Sequence, residues 1–236
     1  MRKTHPVKST IILLFVSSII ACPAAVRGNV TVKREPPVVE YKVFDPADPP
    51  KEMPVLKKGE DAVTETVFRC LVNASYKVGN RSARPGNSSA TVTVAGLQLT
   101  LRLRVVIYLP KNAPEKLKAH EEGHRRVAEQ IYKERAEKAA REFAAKADGG
   151  QFSGEGIDVA AATKAATQAA IEPVAKGYLK LTGDVSARVG DIYDAITAHG
   201  VNKIPEDDAI KQAFKDYEKE QADNPAPAAA GPGAAD

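Results

Sequence analysis

The sequence predicts an α+β fold in which an N-terminal antiparallel β section is followed by a helical section. Two runs, Phe68 to Tyr76 and Leu97 to Val105, alternate apolar and polar residues with a period of two. A turn signal at Pro85-Gly86 lies between them, which favours antiparallel pairing with one solvated face. The chain after Pro110 is rich in Ala, Glu, Lys and Arg, the residues that favour helices.

The helical section is predicted to begin with a long helix over residues 113–147. Asn112 is its predicted N-cap, and Pro114 is tolerated in the first turn. Gly149 and the glycine after it are expected to end the helix. Three further helices are expected over residues 157–181 (with a kink or break at Pro173), 184–198 and 206–220.

The N-terminal residues 1–24 are typical of a secretory signal. Basic residues precede an apolar run from Ile11 to Ile20, which is too short for an ordinary transmembrane helix, and small residues follow it. Cleavage is expected after Ala24. Alternatively, the residues up to Cys22 resemble a bacterial lipoprotein box, so that the signal ends at residue 21 and Cys22 carries a lipid. We therefore expect an exported protein that is periplasmic, secreted or lipid-anchored, with a transmembrane anchor as a further alternative.

The rest of the chain is predicted to form one domain. Residues 25–58 are rich in proline and are expected to be an extended lead-in, with a short strand from Val38 to Phe44. The folded α+β domain is expected over residues 38–221, and the Pro, Ala and Gly of residues 222–236 predict a disordered tail.

The charge balance gives no indication of a nucleic-acid partner. The formal net charge is +4, and the three basic residues of the signal account for all but one of these charges. No nucleic-acid partner is therefore expected, and contact with a membrane is expected only through a lipid on Cys22.

The residues with the clearest chemical meaning are His120, Glu121 and His124, which form an HExxH pattern within the first predicted helix. Side chains four residues apart lie on the same face of a helix, so both imidazoles can bind one metal ion. Glu121 lies beside them, where a carboxylate can act on a water molecule. This pattern predicts one half of a zinc hydrolase site, with Zn²⁺ as the cofactor.

A third zinc ligand must come from elsewhere in the chain, because a catalytic zinc site uses three protein ligands. His5 leaves with the signal, so His199 is the remaining histidine. The carboxylates of Asp191 and Asp194 are the alternatives in the same late segment. His199 also has a purely structural interpretation, as a residue that interacts with the carbonyl groups at the end of a helix.

The alternative interpretation of the HExxH pattern is a charged, solvated helix face with no catalytic or metal-binding role. Gly123 argues against this alternative, since a glycine within a helix costs about 1 kcal/mol relative to alanine. Its presence is explained if a neighbouring segment packs closely against the backbone at that position.

These residues resemble a known family. The segments LPKNAPEKLKAHEEGHRRVAEQIY and YDAITAHG are similar to two motifs of the bacterial predicted secreted zinc-dependent proteases, in the same order. The resemblance covers roughly Val38 to Val201. It implies that His120 and His124 bind zinc, that Glu121 is the catalytic carboxylate, and that His199 is the third ligand.

The expected function is that of an exported zinc metallopeptidase acting on a peptide or protein substrate. A zinc-activated water would attack the peptide bond, with Glu121 as general base. Tyr193 is expected either to donate a hydrogen bond to the developing oxyanion or to pack in the core. Asp194 is expected either to orient a ligand imidazole or to be a surface carboxylate. The edge of the strand from Leu97 to Leu109 is expected to align an extended peptide.

The alternative function is a non-catalytic protein of the cell envelope. Such a protein would hold a metal only for structure or would bind a partner. Zinc content and the number of protein ligands would discriminate between the two functions.

Overall fold

The computed structural model describes residues 29–56 and 59–224. The predicted signal with Cys22 and residues 225–236 of the predicted tail lie outside the described residues. Within the described residues, no helix is both long and apolar enough to span a membrane.

The described residues form a mixed α/β structure with one five-stranded sheet and four helices. The longest strand, β4, lies in the middle of the sheet and pairs along its length with β3, antiparallel. Along its other edge, β4 pairs with three shorter strands. β5 is antiparallel to it, and β1 and β2 are parallel to it. The strands are β1 (Asn29–Arg34), β2 (Val38–Phe44), β3 (Val63–Ser82), β4 (Ser88–Pro110) and β5 (Gln151–Gly156).

The predicted pairing of the two alternating runs is confirmed, because β3 and β4 form an antiparallel hairpin around a turn closed by Asn87 and Arg84. The prediction of an antiparallel β section as a whole is wrong. Within the predicted lead-in, β1 and β2 add parallel to β4, and β5 follows two helices. Their partners lie far along the chain, so local alternation could not indicate the pairing or its direction.

The helices are α1 (Glu115–Glu134), α2 (Ala136–Ala147), α3 (Val159–Thr197) and α4 (Glu206–Asp223). The first predicted helix is interrupted at Arg135. Its N-cap is Pro114, because Asn112 has a positive φ of 63° and lies in the preceding turn.

Two predicted helices are one continuous helix, α3. It runs through Pro173 and Gly183, where a kink and a gap were expected. Tyr178, Thr182 and Val185 are buried on either side of Gly183, so packing against the sheet and the other helices holds this stretch helical despite its low propensity.

Helices α1, α2 and α3 cover one face of the sheet, and α4 packs on α1 and α3. Alternate residues of β4, from Leu97 to Ile107, are buried and pack in one core with Val127 and Ile131 of α1 and with Val189 of α3. α1 contacts both β3 and α3. One face of α1 is therefore enclosed between a strand and a second helix.

Candidate metal centre

His120, Glu121 and His124 point inward from α1, whereas the neighbouring charged residues Glu122 and Arg125 lie on its more exposed side. His120 and Glu121 are 3% and 4% exposed, and the His124 side chain is 19% exposed. On the outer side, Arg125 forms ion pairs with Glu122 and Glu129. The interpretation as a solvated helix face therefore describes the outer residues but not His120, Glu121 or His124.

The two helix histidines converge on a carboxylate from α3. Oδ1 of Asp194 lies 3.2 Å from Nε2 of His120 and 2.8 Å from Nε2 of His124. Potential ligand atoms of the three residues all lie within 4.8 Å of one another. Two imidazoles and a carboxylate are a ligand set that zinc uses in hydrolases, so the donor chemistry fits this metal.

Three interpretations of Asp194 follow from the sequence: a third zinc ligand, a carboxylate that orients a ligand imidazole, and a surface helix carboxylate. The carboxylate is buried, so the interpretation as a surface helix carboxylate is wrong. Its contacts with both Nε2 atoms place it where a third ligand would lie, and its proximity also allows it to orient the imidazoles.

His199 lies at the edge of the same cluster. Its Nδ1 is 3.8 Å from Oδ1 of Asp194, and its side chain is 45% exposed. It belongs with Glu60 and Asp194 to a second group whose potential ligand atoms lie within 4.8 Å of one another. Asp191 lines the adjacent cavity but belongs to neither group among the described residues. His199 and Asp194 thus both stay candidates for the third ligand.

The charges in the cluster shift the pKa values of its members in opposite directions. Burial would raise the pKa of Asp194, but hydrogen bonds and charge from His120 and His124 outweigh it and hold that pKa well below its usual range. Burial would lower the pKa of His124, but the hydrogen bond to Asp194 and the charges of Asp194, Glu121 and Glu60 raise it. Without metal, the site therefore favours an ionised Asp194 and a protonated His124.

Glu121 is held from the opposite side by β3. Oγ1 of Thr64 donates a 2.7 Å hydrogen bond to Oε2 of Glu121 and lies 3.2 Å from its backbone oxygen. Burial raises the pKa of Glu121, opposed by the Thr64 hydrogen bond and by the charges of both histidines. The carboxylate is therefore oriented by a neighbour and poised to accept a proton more readily than an exposed glutamate.

Tyr193 packs between the histidines and the backbone of α1. A Cβ atom on Gly123 would lie 2.0 Å from Oη of Tyr193, which confirms the predicted close approach of another segment at that glycine. The Tyr193 ring stacks on His120, with centroids 5.1 Å apart and an interplanar angle of 10°. Its hydroxyl donates to Glu206.

The two sequence-based roles of Tyr193 are not equally supported by its position. The side chain has no exposed surface, and it does not line the cavity beside the histidines. The geometry favours packing that positions His120 over donation to an oxyanion.

A cavity of about 490 Å³ opens beside these residues. Its walls come from the loop before β3, from the first residues of β3, from α1 and from the end of α3. Glu121, His124, Asp194 and His199 all line it. A substrate in this cavity would therefore contact both the proposed base and the candidate ligands.

Sequence reasoning missed three residues of this site. Thr64 contacts Glu121, Glu60 joins the second group, and Thr197 lies 3.3 Å from Nδ1 of His120 through its Oγ1. Thr197 falls within the quoted YDAITAHG segment, which is a signal that could have found it. Glu60 lies before β3 and Thr64 lies at its start. Neither is part of a recognisable motif, and only the tertiary structure brings them to the site.

Comparison of the chain with protein-family models, with curated proteins and with solved structures gave no match in any of the three.

Proposed function

We propose that this protein is an exported zinc-dependent metallopeptidase similar to the bacterial predicted secreted zinc-dependent proteases. The observation that carries the proposal is the convergence of His120 and His124 on Asp194, with the buried Glu121 beside them at a cavity. A charged surface helix would not require this arrangement. The proposal of export rests on the N-terminal sequence pattern.

His120 and His124 would hold the zinc ion through their Nε2 atoms, and Asp194 or His199 would supply the third protein ligand. When bound, zinc supplies Lewis acidity, which favours attack by water at neutral pH and offsets negative charge that develops on the substrate. Thr197 beside Nδ1 of His120 would fix the orientation of that imidazole.

Glu121 would move the proton. Thr64 donates to Oε2, so we assign Oε1 to the transfer. This oxygen would accept a proton from the attacking water and deliver it to the amine that leaves the cleaved peptide bond. The raised pKa of Glu121, which burial causes, is in the direction that suits a base working near neutral pH.

The outer edge of β3 would align an extended peptide. Among the described strands, β3 pairs only with β4, and Val63, Thr64 and Thr66 at its start line the cavity. An extended substrate could therefore add to the sheet as a further strand beside Glu121. The predicted edge from Leu97 to Leu109 cannot do this, because β4 is paired on both sides there.

Replacement of Glu121 by glutamine tests the proposal. We expect Glu121→Gln to bind zinc as the wild type does and to lose about 10²–10⁴-fold in hydrolysis, the usual contribution of a positioned acid or base. Activity would be measured on a dye-labelled denatured protein and on a peptide mixture, with zinc content determined on the same samples.

Glu122→Gln is the matched control. Glu122 is the next residue on α1, but its carboxylate points away from the cluster and accepts a 2.5 Å hydrogen bond from Tyr41. This variant should keep full activity. Undiminished turnover in Glu121→Gln would remove Glu121 from the mechanism. A zinc-loaded wild type that cleaves none of the substrates would contradict the peptidase proposal and favour the non-catalytic alternative.

A further inference from the structure

A second group of metal-ligating side chains adjoins the first and is not used by the proposed mechanism. It consists of Glu60, Asp194 and His199, whose potential ligand atoms lie within 4.8 Å of one another. It shares Asp194 with the group formed by His120 and His124.

Local sequence explains only part of this second group. Asp194 and His199 are near each other because α3 ends between them: the backbone N–H groups of Ala198 and His199 both donate to the carbonyl of Asp194. Glu60 comes from the loop before β3, far along the chain. The tertiary fold places Glu60 beside Asp194, and the turn at the end of α3 does not account for this proximity.

The turn that carries His199 has an unusual backbone. Ala198 and His199 both have positive φ, 49° and 53°, and Gly200 follows with 79°. Two successive non-glycine residues in this region are uncommon, and such backbone strain is concentrated at functional sites. The strained turn holds His199 toward Asp194 and the cavity.

We propose that Glu60, Asp194 and His199 bind a second divalent cation, with Asp194 shared between it and the zinc held by His120 and His124. This inference rests on the proposed function, because it takes those two histidines as ligands of the first ion. Hydrolases with two metal ions use shared ligands of this kind to act on one substrate. One imidazole and two carboxylates suit zinc or manganese.

The second position is expected to bind more weakly than the first. His199 is 45% exposed and Glu60 is partly exposed, whereas His120 is buried and His124 nearly so. A ligand set that is open to water on one side exchanges its cation more easily. Binding at this position should therefore be the first to be lost on dilution or dialysis.

The test is a metal titration of the untagged, metal-free protein. We expect calorimetric titration with Zn²⁺ to give two equivalents per chain with affinities at least tenfold apart. Metal analysis after gel filtration in excess Zn²⁺ gives an independent count. Neither measurement depends on peptide hydrolysis.

Substitutions assign the two equivalents. Glu60→Gln and His199→Ala should each remove the weak equivalent and keep the tight one, whereas His120→Ala should remove the tight one. Asp61→Asn is the matched control, because Asp61 is next to Glu60 and lines the same cavity but belongs to neither group. It should keep both equivalents. Circular dichroism on each variant establishes that it is folded.

Three results would overturn the inference. A single equivalent in the wild type at saturating Zn²⁺ excludes a second ion and leaves the proposed function intact. Two equivalents that both persist in Glu60→Gln place the second ion elsewhere. Loss of the tight equivalent in His199→Ala makes His199 the third ligand of the first zinc. Failure of the proposed function is distinct: it would show as a wild type in which no tight equivalent depends on His120, or as a zinc-loaded wild type that cleaves no substrate.

Discussion

Gly123 shows how a single residue shapes this site. It lies between the two histidines in sequence, and Oη of Tyr193 lies where its side chain would begin. The absent side chain lets Tyr193 reach the carbonyl of His120, at 3.3 Å, and stack on the His120 ring. An HExxH helix with any larger residue at this position could not be held against α3 in the same way.

Substitution of Gly123 by alanine should therefore destabilise the protein, although alanine is the better helix former. Displacing a buried ring typically costs about 1–3 kcal/mol, which exceeds the gain of about 1 kcal/mol from helix propensity. Gly183→Ala is the matched control, because Gly183 is also helical but has no atom within 4 Å of the Cβ position. It should stabilise the protein by about 0.5–1 kcal/mol.

Urea denaturation of both metal-free variants measures the free energy of unfolding. A Gly123→Ala variant that is stabilised like Gly183→Ala would show that Tyr193 does not pack against α1 as described.

At the residue scale, the sequence predicts the part of the site that depends on local spacing. His120, Glu121 and His124 fall on one face because a helix repeats every 3.6 residues, and this needs no knowledge of the fold. Thr64 and Glu60 could not be predicted, since nothing in their own sequence indicates which helix they will meet. The sequence also places Asp194 among the candidate ligands, but its burial depends on how α3 packs.

At the scale of an element, the end of α3 is the segment that joins fold and site. Thr197, Ala198 and His199 form a turn in which the N–H of Asn202 donates to the carbonyl of Thr197 at 2.8 Å. Gly200 then packs against His120. A Cβ atom added to Gly200 would lie 3.0 Å from the Cβ atom of His120. The turn therefore contacts α1 directly and positions His199 relative to the helix histidines.

Ala198→Gly should stabilise this turn. A left-handed conformation costs a non-glycine residue about 1–2 kcal/mol, and glycine avoids this cost. Glycine is more flexible in the unfolded chain, however, and this lowers the free energy of unfolding by about 0.5–1 kcal/mol. We therefore expect a net gain of about 0.5–1 kcal/mol in the free energy of unfolding, measured by urea denaturation.

Ala195→Gly is the control for this substitution, because Ala195 is exposed and helical three residues earlier. It should lose about 1 kcal/mol. An equal loss in Ala198→Gly would mean that residue 198 is helical in solution.

The same helix shows why the sequence misjudges element boundaries. Pro173 and Gly183 are the residues that a local interpretation uses to divide a helix, yet α3 continues through both. Tyr178, between them, is fully buried against the core. Val174 and Val185, on either side of Tyr178, are buried in the same core. Tertiary packing of this whole face outweighs the low helix propensity of the proline and the glycine. Similarly, β1, β2 and β5 pair with β4 over long sequence separations that local alternation does not indicate.

At the scale of the whole molecule, the site joins three parts of the fold. Thr64 comes from β3, His120 to His124 from α1, and Asp194 from α3. Without metal, the ion pair between Asp194 and the protonated His124 links α1 to α3. A zinc ion would replace this link, because it requires neutral imidazoles.

This exchange predicts opposite pH dependences for the metal-free and zinc-loaded protein. The pKa of His124 is raised in the folded protein above its ordinary value of about 6.5. Its contribution to the stability of the metal-free protein is therefore fully present below about pH 6.5 and is lost as the pH rises through the folded pKa. Zinc binding releases the proton from His124, so the stabilisation by zinc increases over the same range.

Urea denaturation at several pH values between about 6 and 8.5 measures both trends. Because other groups also titrate in this range, the informative quantity is the difference from Asp194→Asn, in which the partner that raises the pKa of His124 has lost its charge. Metal-free wild type should approach the stability of this variant as the pH rises, whereas zinc should separate the two further. Parallel curves for the two metal-free proteins would mean that Asp194 and His124 are not paired in solution, and the polar link between α1 and α3 would then rest on the contacts of His120 with Tyr193 and Thr197.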